Sequence, residues 1–169
     1  PWSWSVAPGP GGFAVPTDEG PVWVSFATDG SEFHPELMPK DAAVRAVGGA
    51  SLSIVQGTAT ACIPCKENGG MFLAWRYSGT DASWETVPLP AEAASEVGDA
   101  YLGAPAQDGA GNIYWVGEKG FLSVNVNKGL PGARWHTWRE NHQGKPQFMP
   151  YRDRSAVLWQ LTFDGGNYF

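Results

Sequence analysis

Short apolar and aromatic runs, each closed by a turn signal, recur along the whole of this chain. Four stretches share one order of residues: AVPTDEGPVWVSF from Ala14, CIPCKENGGMFLAW from Cys62, GAPAQDGAGNIYWV from Gly103 and FMPYRDRSAVLWQL from Phe148. Each has a proline after a small or apolar residue, an acid three positions later, a polar or Gly-rich tip, and then an apolar, aromatic run. The prolines are Pro16, Pro64, Pro105 and Pro150, spaced by 48, 41 and 45 residues, and the acids are Glu19, Glu67, Asp108 and Asp153. A second turn signal follows each run, TDG, SGTD, EKG and DGG, and then another apolar segment, SEF, ASWETV, FLSVNV and NYF.

The pattern predicts strand, turn, strand, tight turn, strand. Proline lacks a ladder donor and suits the rim of a sheet, while glycine supplies the positive φ of a hairpin reversal. The repeated acids are read as turn-formers that accept hydrogen bonds from backbone N–H groups at the tip. One more strand is expected upstream of each proline, at WSWSV, SLSIVQG, AYLG and RWHTW; Trp4 and Trp138 each precede their proline by 12 residues. Four antiparallel strands in each unit of about 40–50 residues is the pattern of β-propeller blades. The expected fold class is therefore all-β, a single domain of four propeller-type repeats, with blades near residues 1–40, 50–90, 98–130 and 133–169. PAEAASEVGDA from Pro90 is the one helical candidate, a turn or two between blades.

Composition sharpens this picture. The 169 residues include 22 Gly, 14 Pro and 22 aromatics, 9 of them Trp, against 17% charged residues. Turns and flat side chains in such number suit short strands. A net charge of −6 disfavours a nucleic-acid partner. No run of 18 apolar residues is present, so membrane insertion is not expected, and no signal peptide opens the chain. The initial Pro1 suggests a processed protein or an excised segment; four repeats imply a small closed propeller or a fragment of a larger one, and the stop soon after the last strand begins, at NYF, favours the fragment.

The segment YSGTDASWETVPLP, Tyr77 to Pro90, resembles the Asp box of sialidase-type and lectin-like propellers, with Ser78, Asp81, Ser83 and Trp84 in a turn before a strand. Ala82 stands where that family has glycine. The resemblance implies a propeller with glycan-directed or assembly functions. Sialidase-type hydrolysis would need several arginines in one pocket, a nucleophilic Tyr backed by a Glu, and an acid. Six arginines are present, at 45, 76, 134, 139, 152 and 154, but the Arg-Ile-Pro motif is missing and their spacing assigns no three of them to one pocket.

Cys62 and Cys65 are the first residues that look like chemistry. In an extended strand they point to opposite faces with Cα atoms about 10 Å apart, beyond the roughly 7 Å reach of a disulfide. Structural thiols are the leading reading, with a strained local disulfide, a metal or a redox pair as alternatives. His34, His136 and His142 have no telling spacing to them. An acid repeated in four places is more simply a turn-former than a catalyst, so no catalytic residue, no metal site and no cofactor is expected; calcium held by clustered loop oxygens is the alternative. Gly-x-Ser-x-Gly, P-loop, His-Glu-x-x-His and dinucleotide fingerprints are absent.

Function is expected where the pattern does not repeat. GARWHTWRENHQGKPQ, Gly132 to Gln147, gathers Arg134, Trp135, His136, Trp138, Arg139, Glu140 and His142 on an acidic chain. Flat aromatics beside polar donors suit a sugar ring or an interface hot spot, so Arg134, Trp135, His136, Trp138, Arg139 and His142 are the candidate ligand-binding residues. Trp23, Trp75, Trp115 and Trp159 recur on equivalent strands and are read as inter-blade packing. The expected function is a non-catalytic recognition or scaffolding module that presents blade-rim loops to a protein partner or larger assembly, extracellular or virion-like, such as a tail or fibre. A glycan-binding lectin-like propeller and a sialidase-like glycoside hydrolase are the alternatives.

Overall fold

The computed structural model describes residues 7–9, 11–27, 29–39, 43–55, 58–77, 82–98, 101–108, 111–125, 132–137, 147–151, 154–158, 161–163 and 166–168, the strands after residue 137 by their backbone. Three antiparallel sheets succeed one another along the chain. The first is a four-stranded meander of β1 (Ala7–Gly9), β2 (Gly12–Thr17), β3 (Gly20–Phe26) and β4 (Phe33–Leu37). The second comprises β5 (Val44–Ala46), β6 (Ser51–Val55), β7 (Thr58–Glu67), β8 (Gly70–Tyr77) and β9 (Glu85–Pro88). After α1 (Ala91–Val97), the one helix among the described residues, comes the third sheet, β10 (Ala106–Gln107), β11 (Asn112–Val116), β12 (Gly120–Asn125) and β13 (Gly132–Thr137). Two hairpins follow, β14 (Gln147–Tyr151) with β15 (Arg154–Leu158), and β16 (Leu161–Phe163) with β17 (Gly166–Tyr168). The fold class is all-β, and among the described residues no sheet closes on itself. Arg134–Thr137 of RWHTW, expected in the fourth unit, lie in β13, which pairs with β12 and so completes the third sheet instead.

Hairpin geometry follows from the tips. Asn68 and Gly69, both at positive φ (48° and 81°), form a two-residue primed turn whose twist matches the flanking strands β7 and β8. Counting back from this turn, Glu67–Gly70 is a hydrogen-bonded pair and Pro64–Leu73, three steps on, is not. The absent N–H of Pro64 therefore faces the other side of β7, where β5 ends at Cys65 and β6 at Cys62. Nothing there requires a donor, and the Pro64 carbonyl accepts the Val47 N–H at 2.8 Å. The same count puts Pro16 and Pro150 at non-hydrogen-bonded pairs, opposite Pro21 and Ser155. A central strand thus keeps a proline because its second neighbour stops short.

The sheets stack. Trp23, Ala14 and Ala7 of the first pack on Ile63, Cys65, Phe72 and Ala74 of the second. On its other side the second sheet offers Cys62, Leu73 and Trp75 to Ile113, Trp115, Leu122 and Val124 of the third, with Leu89, Ala93, Val97 and Leu102 between. Ala93 and Val97, four apart on α1, form the buried face of that helix. Backbone bonds also join the layers: Leu102 N–H donates to Val47 O at 2.6 Å and Gly103 N–H to Val116 O at 2.9 Å. Trp115 Nε1–H donates to Gly49 O at 2.7 Å, which gives this buried indole its partner. Gly48 sits so close that a Cβ would lie 2.5 Å from Pro64 Cγ. Trp159 lies outside the described residues.

Candidate functional site

Strand β13 carries three of the candidate ligand-binding residues and divides them between two faces. Arg134 and His136 lie on one face and Trp135 on the other, as alternation along a strand requires. His136 stacks on Phe121 with ring centroids 4.3 Å apart and 12° between planes, and its Nε2 is 2.9 Å from Ser123 Oγ. Burial, and then the neighbouring Arg134 charge, hold the His136 imidazole below its ordinary pKa. The ring is thus a neutral packing element at neutral pH. Trp138, Arg139 and His142 lie outside the described residues.

Trp135 faces the second sheet. Its Nε1–H donates to Glu96 Oε2 at 3.2 Å, and Thr137 Oγ1 donates to Glu96 Oε1 at 3.0 Å, so one carboxylate of α1 fixes the edge of the indole. Gly120 lets the indole seat on the β11–β12 turn, since a Cβ there would lie 2.7 Å from Trp135 Cζ2. Beside the indole is a cleft of about 230 Å³ lined by Glu96, Val97, Gly98, Leu102, Gly117, Glu118, Lys119 and Trp135. An aromatic wall with carboxylates and an ammonium at its rim can take a small polar ring.

The thiols point apart. Cys62 belongs to the cluster under the third sheet and Cys65 to the cluster under the first; both are buried and neither is in a disulfide. Burial pushes the Cys62 thiol up to about 12, and Cys65 Sγ donates to Ile63 O at 3.5 Å. Cys62 therefore supplies no thiolate near neutral pH. Among the described residues no three His, Cys, Asp or Glu side chains gather as metal ligands.

The proline-to-acid spacing leads to different surroundings. Glu19 is in the β2–β3 loop, where its own N–H donates to Thr17 Oγ1 at 3.2 Å. Glu67 ends β7, paired with Gly70. Pro105 precedes β10, and Asp108 organises the next tip: its carboxylate accepts Asn112 N–H (2.8 Å), Asn112 Nδ2 (2.6 Å) and Tyr114 O–H (3.1 Å). Asp153 lies outside the described residues.

Of the arginines, Arg45 is on β5, Arg76 on β8 and Arg134 on β13. Arg76 is almost wholly buried between the first two sheets. It donates from Nη2 to Glu36 Oε2 at 3.0 Å and from Nη1 to Tyr77 O at 3.0 Å, and its guanidinium lies 4.8 Å from the Trp23 ring centre. This is an inter-sheet clamp between β4 and β8.

Among the described residues, the large exposed hydrophobics gather on one sheet face that the repeat pattern does not reveal. The first sheet carries large apolar residues on both faces. Opposite Trp23 and Ala14, Pro8, Phe13, Val24 and Pro35 form one cross-strand row, Val15, Val22 and Leu37 a second, and Phe26 with Phe33 a third. Phe13, Phe26 and Phe33 form a ladder with successive centroids 5.6 Å apart. Phe33 is 63% exposed, Leu37 45% and Phe26 40%. The signal was in the sequence: strand GPVWVSF is apolar at both parities, as in strands covered on two sides. Comparison of the chain with the profiles of protein families, with characterised proteins and with solved structures returns no match.

Proposed function

We propose that this chain is a non-catalytic recognition or scaffolding module of propeller-type repeats, which docks to a macromolecular partner in an extracellular or virion-like assembly such as a tail or fibre. The observation that carries this reading is the outward face of the first sheet. Apolar residues in three adjacent rows, including two phenylalanines and a leucine at 40–63% exposure, form a continuous patch of the kind that marks an interaction surface. The stacking of successive antiparallel sheets supports the repeat reading, because the first sheet packs on the second and the second on the third. Among the described residues, Asp108 is engaged in its turn, Arg76 in its clamp, and both thiols lie in the core.

A docking face differs from a core face in what its loss does to folding. Phe33→Ser and Leu37→Ser are expected to leave the melting temperature within about 2 °C of the parent. Binding of an apolar dye such as bis-ANS is expected to fall about threefold or more in the double variant, as the accessible patch is lost. A fall in melting temperature of about 8 °C or more would show the face to be part of the core and overturn the reading.

Trp135 and its cleft favour glycan binding as a second reading. A panel of monosaccharides and sialosides titrated against tryptophan fluorescence tests it: a saturable change lost in Trp135→Ala supports a sugar site. An unchanged spectrum across the panel removes this reading. Release of free sugar from a sialoside would instead support the hydrolase.

A further inference from the structure

Charge along this chain is divided between its two ends. Residues 1–39 contain Asp18, Glu19, Asp29, Glu32 and Glu36 and no lysine or arginine, whereas residues 126–169 hold six of the chain's 11 basic residues and three acids. The first segment builds the sheet with the open apolar face, and Asp18, Glu19, Asp29 and Glu32 lie in the loops at the ends of its strands. A face-to-face pair of first sheets would bring these acidic rims together, which opposes association. The basic C-terminal segment has the complementary sign and its own apolar strands: FMPY, SAVL and LTF lie in β14, β15 and β16. Within one molecule β14 sits against β10 and β11 of the third sheet, at the other end of the stack from the first.

From these features we infer that the open face of the first sheet receives the basic C-terminal segment, residues 126–169, of a second copy of this chain, so that copies join head to tail. The inference rests on the docking reading above and names its partner. A heterologous contact of this kind builds rings or open rows rather than a closed pair. Four strands at about 4.8 Å spacing and about 20 Å long give a plane of only about 400 Å². Standard interfaces bury about 800 Å² a side, so the contact is expected to be reversible, with dissociation constants in the micromolar range. Because opposite charges ring it, raising salt from about 20 to 300 mM is expected to weaken it about tenfold.

Sedimentation velocity tests this on the 18.1 kDa chain from about 5 to 200 µM. Weight-average mass is expected to rise past the dimer with concentration and to fall back with salt. A head variant, Phe33→Ser with Leu37→Ser, and a tail variant, Arg152→Glu with Arg154→Glu, are each expected to stay monomeric with circular dichroism unchanged. Their mixture is expected to stop at a one-to-one pair, the signature of a head meeting a tail. A tail variant that still dimerises alone would show face-to-face pairing of first sheets and overturn the inference. So would a parent chain that stays monomeric throughout. If in that case the head variant keeps its melting temperature and loses dye binding, the docking reading survives and only the second copy is excluded as its partner.

Discussion

At the scale of single residues, the two groups with the sharpest physical consequences are Arg76 and Cys62. The Arg76 guanidinium is buried, but the Glu36 carboxylate that faces it is 41% exposed, so water screens one partner and not the other. Glu36→Gln is therefore expected to lower the unfolding free energy by about 2–3 kcal/mol, below the roughly 3–5 kcal/mol for a fully buried pair, because it removes a carboxylate charge from beside a buried cation. Arg76→Met keeps the volume and removes the charge, and its cost is expected to stay within about 1 kcal/mol. Urea denaturation of the two variants distinguishes an electrostatic clamp from a packing role: equal losses would count against the clamp. Cys62 gives a pH dependence of definite sign. Its thiol ionises near 9.0 when unfolded and near 12 in the fold, so above pH 9 the folded state holds a proton that the unfolded state releases. Its contribution to stability is full below pH 9 and is lost as pH rises toward 12. In Cys62→Ala the decline of stability between about pH 9 and 10.5 is expected to be shallower than in the parent; identical slopes would place the ionisation elsewhere.

At the scale of elements, turn chemistry decides how much a motif means. The sequence pattern groups four proline-plus-acid units, yet Glu19 sits inside a loop, Glu67 ends a strand and Asp108 caps a turn. A proline-to-acid spacing does not specify where the strand ends: β2 stops one residue past Pro16 and β7 three past Pro64, so the same offset puts Glu19 in a two-residue loop and Glu67 on the last ladder pair. Asp108→Ala removes the acceptor for Asn112 and Tyr114 together and is expected to cost about 1–2 kcal/mol by thermal or chemical unfolding. Glu19→Ala at the first tip is expected to cost less than about 0.5 kcal/mol, because Thr17 Oγ1 takes the loop N–H there. The strands themselves, the helix after Pro90 and the opposite orientations of Cys62 and Cys65 were legible, because each follows from local periodicity. The division of Arg134 and His136 from Trp135 follows from the same rule. What was not legible is contact at a distance. Neither Glu96 under Trp135 nor Glu36 against Arg76 leaves a signal in spacing, since each pair is about 40 residues apart and meets only when sheets stack.

At the scale of the whole molecule, the stack has a middle and two ends, and stability should be graded accordingly. Strand β7 pairs with β5 and β6 along one edge and with β8 along the other. Its alternate residues also feed both hydrophobic clusters, Cys62 one and Ile63 and Cys65 the other. Opening β7 therefore breaks three ladders and exposes two cores at once, which makes it a costly local opening. Strand β4 is the contrast: it pairs on one edge with β3, and four of its five residues are exposed. Native-state hydrogen exchange is expected to show β7 and β8 amides exchanging last, at the rate of global unfolding, with β4 amides faster by about 100-fold or more. If the first sheet gains a partner on its open face, β3 and β4 should slow with protein concentration while β7 stays constant. Slow β4 exchange in dilute solution would mean that the outward face is already covered within one chain, and the molecule would then have no free end to offer.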